Sequence, residues 1–261
     1  MSPEITSLYG LLLMLALGIR HGLDPDHIAI IDAMAYRCLE RRPAVAPWVG
    51  TLFALGHGLT VTALAVLLSA MTADIRLAPG VIAVLDWMPV VLLFAVGSFN
   101  LRALLASGPY TPRGWKQHVM PKRLQRSEHP FSIFMVGVLF ALVFDTATHA
   151  AAWGSVATTQ AGWPMALVVG LAFTAGMVFT DTLDGRMVCR LILRRDAAGV
   201  QRYRRRVGWT VVALAYGVVV YSLGSHFYPA MALSDISLSV AGVLMVALML
   251  VTYLRSGRAS Y

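Results

Sequence analysis

Apolar residues dominate this chain so strongly that the runs between its polar clusters read directly as elements. Seven runs stand out, at residues 6–36, 45–71, 79–105, 131–158, 163–192, 207–228 and 236–254. Each is about 20 residues or longer, the length an α-helix needs to cross ~30 Å of hydrocarbon. The alternating segments of ~10 residues that build membrane β-barrels do not occur. The predicted fold is therefore all-α: a polytopic membrane protein of about seven transmembrane helices, forming one transmembrane domain over residues 1–261. The first run is too long for one straight crossing, because at ~1.5 Å per residue it would extend beyond roughly 40 Å. Gly22 and Pro25 fall inside it, so a first helix kinked or unwound at that point is expected.

Composition agrees. The chain is 58% hydrophobic and 13% charged, with a mean hydropathy of +0.70, against about 25% charged in a soluble domain. The net charge of +8 does not indicate nucleic acid, because the charges lie between the apolar runs and alternate from side to side. Arg37, Arg41 and Arg42 follow the first run; Arg102, Arg113, Lys116, Lys122, Arg123 and Arg126 follow the third. Eight arginines between Arg186 and Arg206 follow the fifth, and Arg255 and Arg258 follow the seventh, whereas the opposite loops hold only Arg76. Basic loops stay cytoplasmic. The alternation predicts seven crossings in the cytoplasmic (inner) membrane, with the N-terminus outside and the C-terminus inside.

Residues 106–130, with four prolines among basic residues, are predicted to be a cytoplasmic linker between helices 1–3 and helices 4–7. The run RRDAAGVQRYRRR, residues 194–206, reads as a second cytoplasmic loop. Residues 1–7 lack the basic start of a cleavable leader. Cys38 and Cys189 suggest neither a disulfide framework nor a thiolate metal pair. Trp48, Trp87, Trp163 and Trp209 sit near run boundaries and read as interfacial anchors, as does His226. His118 and His129 lie in the basic linker and read as solvated.

Against this background a few ionisable residues are out of place. A charged side chain at the bilayer centre costs about 2.5–3.5 kcal/mol even on lenient scales, and those that persist face a polar interior with a task there. The first run contains RHGLDPDHI: Arg20, His21, Asp24, Asp26 and His27. The second holds His57 between Gly56 and Gly58. The fourth carries Asp145 and His149 at i, i+4, and the fifth carries Asp181 and Asp184 at i, i+3. Imidazole with carboxylate suits nickel, cobalt, zinc or copper; calcium or magnesium would not need the histidines. The 13 methionines are scattered and mark no copper(I) path. The predicted metal residues are His21, Asp24, Asp26, His27 and His57. Asp145, His149, Asp181 and Asp184 are predicted to supply a second site or the translocation path. Arg20, a cation beside a cation site, is predicted to be a charge partner of an acidic group such as Asp24.

These stretches resemble the nickel/cobalt transporter family of membrane permeases. The family signature R-H-A-x-D-A-D-H-I stands here as Arg20 to Ile28, with Gly22 and Pro25 in place of alanines. Gly56-His57-Gly58 is similar to the family's Gly-His-Ser pattern. Asp145-Thr146-Ala147-Thr148 matches a later motif in which His149 replaces a glutamate, and Gly176, Met177, Asp181, Thr182 and Asp184 match another. The family typically has eight crossings with the first motif on the second helix, so its placement on the first run implies one helix fewer. The resemblance implies a secondary permease for nickel or cobalt, uptake favoured, with efflux by the same superfamily as the alternative. The implied cargo is Ni2+ or Co2+, and no prosthetic group is implied.

Other classes find less support. There is no G-x-x-x-x-G-K-[ST] loop, so the chain carries no ATPase motif. An intramembrane metallohydrolase would want H-E-x-x-H or a similar motif, yet Glu4, Glu40 and Glu128 all lie outside the apolar runs. Haem ligation fits poorly with aspartates and a proline between the histidines. The expected partners are a divalent ion and the bilayer; an enzyme is not expected. The charge alternation has a direct check: alkaline phosphatase fused near residue 75 should be active, and fused near residue 115 it should be silent. The reverse pattern overturns the orientation.

Overall fold

The computed structural model describes residues 8–71, 79–106, 124, 126–142, 162–194, 197–228 and 251. Within them the chain forms seven α-helices and one 3-10 turn, with no strand. The helices are α1 (Leu8–Gly22), α2 (Pro25–Arg41), α3 (Val49–Met71), α4 (Pro79–Leu105), α5 (Pro130–Leu142), α6 (Gly162–Leu193) and α7 (Ala197–Phe227); the 3-10 turn is Ala46–Trp48. Three stretches, Ala46–Leu67, Gly162–Leu193 and Ala198–Phe227, are long and apolar enough to cross a membrane, and Gly10–Gly22, Leu93–Leu105 and Pro130–Leu142 are shorter apolar helices. The all-α membrane architecture follows. The seventh predicted run and most of the 106–130 linker lie outside the described residues.

Two boundaries sharpen or change the expectation. The first run unwinds between Gly22 and Pro25, as expected, and the break is complete enough to leave two helices. Its backbone breaks at Leu23 and Asp24, and Asp24 is extended (φ −61°, ψ 137°) as the N-cap of α2, with Pro25 in the first turn. Proline has no N–H to lose there and is pre-set for helix entry, but it cannot continue α1 through the break. The carbonyls of Arg20 and His21 accept the N–H groups of Leu23 and Asp24 at 3.1 and 2.9 Å.

The second difference is the arginine-rich run. Its residues from Ala197 to Arg206 are helical, the first turns of α7. Charge hid the pattern: Val200, Tyr203, Val207 and Val211 repeat on one helical face and pack against Ile19, Leu23, Ile28, Met187, Val188 and Leu191.

Helix contacts depend on small residues, since lipid tails give apolar side chains no incentive to leave them for each other. A Cβ on Gly18 would strike the Phe173 carbonyl of α6, and one on Gly176 would strike the Leu15 carbonyl of α1. The same reciprocal fit joins α3 to α5, where Gly56 abuts the Phe134 carbonyl and Gly137 the Phe53 carbonyl.

Register fixes direction. Met14 packs with Ala166 and Val169, Gly18 faces Phe173 and Met177, and Gly22 faces Thr180 and Asp181, so α1 and α6 run parallel. Gly50 meets Asp181, Gly58 meets Thr174, and Thr62 bonds Thr174 at 3.0 Å, so α3 runs antiparallel to α6. Trp87 meets His226 (ring centroids 4.8 Å) while Leu104 packs on Val212, so α4 and α7 are antiparallel. These directions match the up-and-down order set by the charges. The arginine-bearing ends also gather: Arg41 pairs with Glu128 at 3.6 Å, Arg186 lies 5.0 Å over the Trp48 ring, and Arg205 donates to the Leu104 carbonyl at 3.3 Å.

Gly18→Leu should push α1 off α6 and destabilise the fold by about 3 kcal/mol, the upper end of overpacking costs. Gly217, with nothing near its would-be Cβ, is the control: Gly217→Ala should stabilise by about 0.5–1 kcal/mol. Thermal unfolding in detergent reads both, and equal midpoints would refute the packing account.

Candidate metal centre

The break between α1 and α2 sets out the first half of the site. Arg20 and His21 fall in the last turn of α1, where side-chain cations suit the negative end of the helix dipole. Asp26 and His27 fall in the first turn of α2, where a carboxylate suits the positive end. An N-cap aspartate usually accepts a backbone N–H of its own helix, a contact worth about 1 kcal/mol. Asp24 makes no such bond. Its Oδ1 lies 3.2 Å from Arg20 Nη2 and its Oδ2 lies 3.1 Å from His21 Nδ1. The capping interaction is given up to hold an imidazole.

The second half comes from α3 and α6. Gly56 and Gly58 let α3 sit tightly against α5 and α6, and His57 between them points inward, fully buried. Its Nε2 is 3.2 Å from His21 Nε2. Asp181 of α6, also fully buried, places Oδ2 3.1 Å from His27 Nδ1. Gly22 makes room for this carboxylate: a Cβ there would come within 2.6 Å of Asp181 Oδ1. Thr180 ties the two helices together by donating to the Ile19 carbonyl at 3.1 Å.

The outcome is three imidazoles from three helices, His21, His27 and His57, with one ring nitrogen each within 4.8 Å of the others. Two nitrogens bound to one ion at about 2.0–2.1 Å each lie roughly 3.0–3.4 Å apart. The His21–His57 separation already meets that, and the third nitrogen lies within 4.8 Å of both. Phe53 and Phe140 pack edge-on against His27 (centroids 5.0 and 5.5 Å), and Phe173 lies 5.4 Å from His21. The rings exclude water and leave the nitrogens as the available donors.

Asp24 and Asp181 fix the imidazoles chemically. With Nδ1–H donating to a carboxylate, His21 and His27 each keep their lone pair on Nε2. In the ion-free state His57 Nε2–H can donate to His21 Nε2; the opposite tautomer of His57 turns that contact into two converging lone pairs.

The remaining sequence-predicted residues divide. Asp26 is half-buried in the first turn of α2 and is outside the cluster of converging nitrogens. Asp184 is buried but turned away from the histidines, accepting from Tyr203 Oη at 2.7 Å. Asp145 and His149 lie outside the described residues. Sequence reasoning missed Asp32, buried on α2 and bound by Arg204 Nε at 2.6 Å. An aspartate inside IAIIDAMAY should have drawn notice on the same rule that singled out Asp24.

Residues 9–101 match the family model of the high-affinity nickel-transport protein. The chain is 30% identical over 242 residues to the high-affinity nickel transport protein of Cupriavidus necator, covering 80% of this chain and 67% of that protein. The chain belongs to the high-affinity nickel-transport family. It is also 30% identical to the nickel transporter NicT of Mycobacterium tuberculosis (65% of this chain, 53% of that protein). To the cobalt transport protein NhlF of Rhodococcus rhodochrous it is 27% identical (78% and 65%). The chain thus spans between about half and two thirds of these relatives' lengths. No solved structure matches it.

Loss of a carboxylate that orients a ligating histidine typically costs 10–100-fold in metal affinity. Asp181→Ala should therefore weaken Ni2+ binding to the purified chain by roughly 10–100-fold, read by titration calorimetry. An unchanged affinity would separate Asp181 from the centre.

Proposed function

We propose that this chain is a secondary permease that carries Ni2+ or Co2+ across the cytoplasmic membrane, inward. The reading rests above all on the convergence of His21, His27 and His57, fully buried and each on a different helix. A fully buried imidazole trio with carboxylates behind two of its members has no need to exist for packing alone. Its nitrogen donors suit borderline divalent ions, and the relatives named for nickel and cobalt transport supply the cargo class.

In this reading the three histidines hold the ion, and Asp24 and Asp181 hold the histidines. Arg20 holds Asp24 in place. Asp26, with Asp145 and His149, belongs to the ion's approach or departure. Dehydrating a dication is costly, and three neutral imidazoles replace only part of its shell; nearby negative charge from Asp24 and Asp181 offsets the remainder. The N-terminus faces outward and the arginine-rich ends face the cytoplasm. The membrane potential then favours uptake by about 4.6 kcal/mol per 100 mV for a doubly charged ion, twice the single-charge figure, which drives accumulation without nucleotide hydrolysis.

Cells expressing the chain should accumulate 63Ni or 57Co above vector controls, and His27→Ala at equal membrane abundance should fall to background. Wild-type cells that neither gain nor lose nickel, cobalt or zinc would refute transport. A His27→Ala variant that accumulates normally would refute the site while leaving transport in place.

A further inference from the structure

Beyond the histidines, toward the arginine-rich end, lies a second buried polar group. Asp32 of α2 and Asp184 of α6 are both more than nine-tenths buried. Tyr203 Oη donates to Asp184 Oδ1 at 2.7 Å. Arg204 reaches Asp32 with two nitrogens, Nε at 2.6 Å and Nη2 at 2.5 Å, and both go to the same oxygen, Oδ2. The other oxygens, Asp32 Oδ1 and Asp184 Oδ2, have no hydrogen-bond partner among the described residues. Asp184 lies within electrostatic reach of both Asp32 and Arg204. Arg204 thus bonds Asp32 while its chain neighbour Tyr203 bonds Asp184, and each carboxylate keeps an acceptor oxygen without a hydrogen-bond partner among the described residues.

The group stands next in line after the metal centre. Asp184 follows Asp181 by one turn of α6, and Asp32 follows His27 by little more than one turn of α2. Both helices run from the histidines toward the arginine-rich end. Both capping side chains, Tyr203 and Arg204, come from the first turns of α7, whose Val200 and Val207 anchor that stretch in the core. Arg204 differs from the carboxylate it holds: its side chain is 21% exposed, against 6% for Asp32. The guanidinium can leave for water through its own rotamers while the carboxylates stay buried.

We propose that Asp32 and Asp184 form a second divalent-cation station on the arginine-rich side of the three histidines, occupied by the Arg204 guanidinium until an arriving ion displaces it. The proposal rests on the transport reading above. Arginine stays protonated at any accessible pH, so it acts as a tethered cation that balances Asp32 between ions. The station offers oxygen ligands only. Nickel and cobalt prefer imidazole to carboxylate, so an ion moving from the histidines to this pair is bound more weakly and released more readily. Return of Arg204 then closes the station behind it.

The test counts bound Ni2+ per purified full-length chain in detergent, using NiCl2 in equilibrium dialysis. Wild type should bind one ion. Arg204→Gln should bind a second, at least 10-fold weaker than the first, and Arg204→Gln combined with Asp32→Asn should return to one. Arg204→Gln that still binds a single ion at the wild-type affinity overturns the proposal. Wild type that binds none, with Arg204→Gln gaining one, supports this station and overturns the histidine reading instead. Should Arg204→Gln fail to fold, Asp32→Asn decides. It should keep wild-type affinity for the first ion yet lower cellular nickel accumulation severalfold, and unchanged accumulation overturns the proposal.

Discussion

A neutral imidazole carries one N–H and one lone pair, and whatever binds the N–H decides where the lone pair points. In a protein interior that choice must be made by a fixed acceptor. Here the acceptors are Asp24 for His21 and Asp181 for His27, at 3.1 Å each. Much of the local architecture serves these two contacts. The break after α1 lets Asp24 turn back on His21 instead of capping α2. Gly22 leaves space for the Asp181 carboxylate, and Thr180 pins α6 to the end of α1. Without the carboxylates the rings could adopt either tautomer and the convergence of lone pairs would be lost.

The convergence also requires backbones closer than ordinary side chains permit. Gly18 with Gly176 and Gly56 with Gly137 bring α1 to α6 and α3 to α5 nearly into backbone contact. In lipid this closeness has to come from shape, because apolar burial between helices gains little over burial in acyl chains. The three-ring centre sits where these seams meet. Glycine therefore does for helix spacing what aspartate does for ring orientation, and neither would suffice without the other.

The fold was legible from hydrophobic run length and loop charge because both reflect the solvent, which acts on every residue alike. The Arg20–Asp24–His21 contacts were legible because the partners lie within four residues of one another. Asp181 and His27 are 154 residues apart, and no periodicity reports such a pairing. The sequence placed Asp181 and Asp184 on one stripe of α6, and their fates diverged because different helices face them: α2 brings His27 to one, and α7 brings Tyr203 to the other. The start of α7 was misread for a related reason. Arginines at 202 and 204–206 mask an apolar face, Val200, Tyr203, Val207 and Val211, that only the packing against α1, α2 and α6 makes visible.

Charge balance links the two polar groups. Asp24, Asp32, Asp181 and Asp184 face Arg20 and Arg204 and otherwise mostly neutral surroundings. Ionised, four carboxylates against two guanidiniums leave two negative charges among largely buried side chains, where uncompensated charge is expensive. One dication at the histidines, with Arg204 still on Asp32, supplies the missing balance. With the ion at the histidines, Asp24 and Asp181 lie beside it and Arg204 neutralises Asp32. In the proposed onward step the ion takes the place that Arg204 holds beside Asp32. In the proposed reading the ion and Arg204 compete for the same carboxylate charge, which ties the two polar groups into one electrostatic unit.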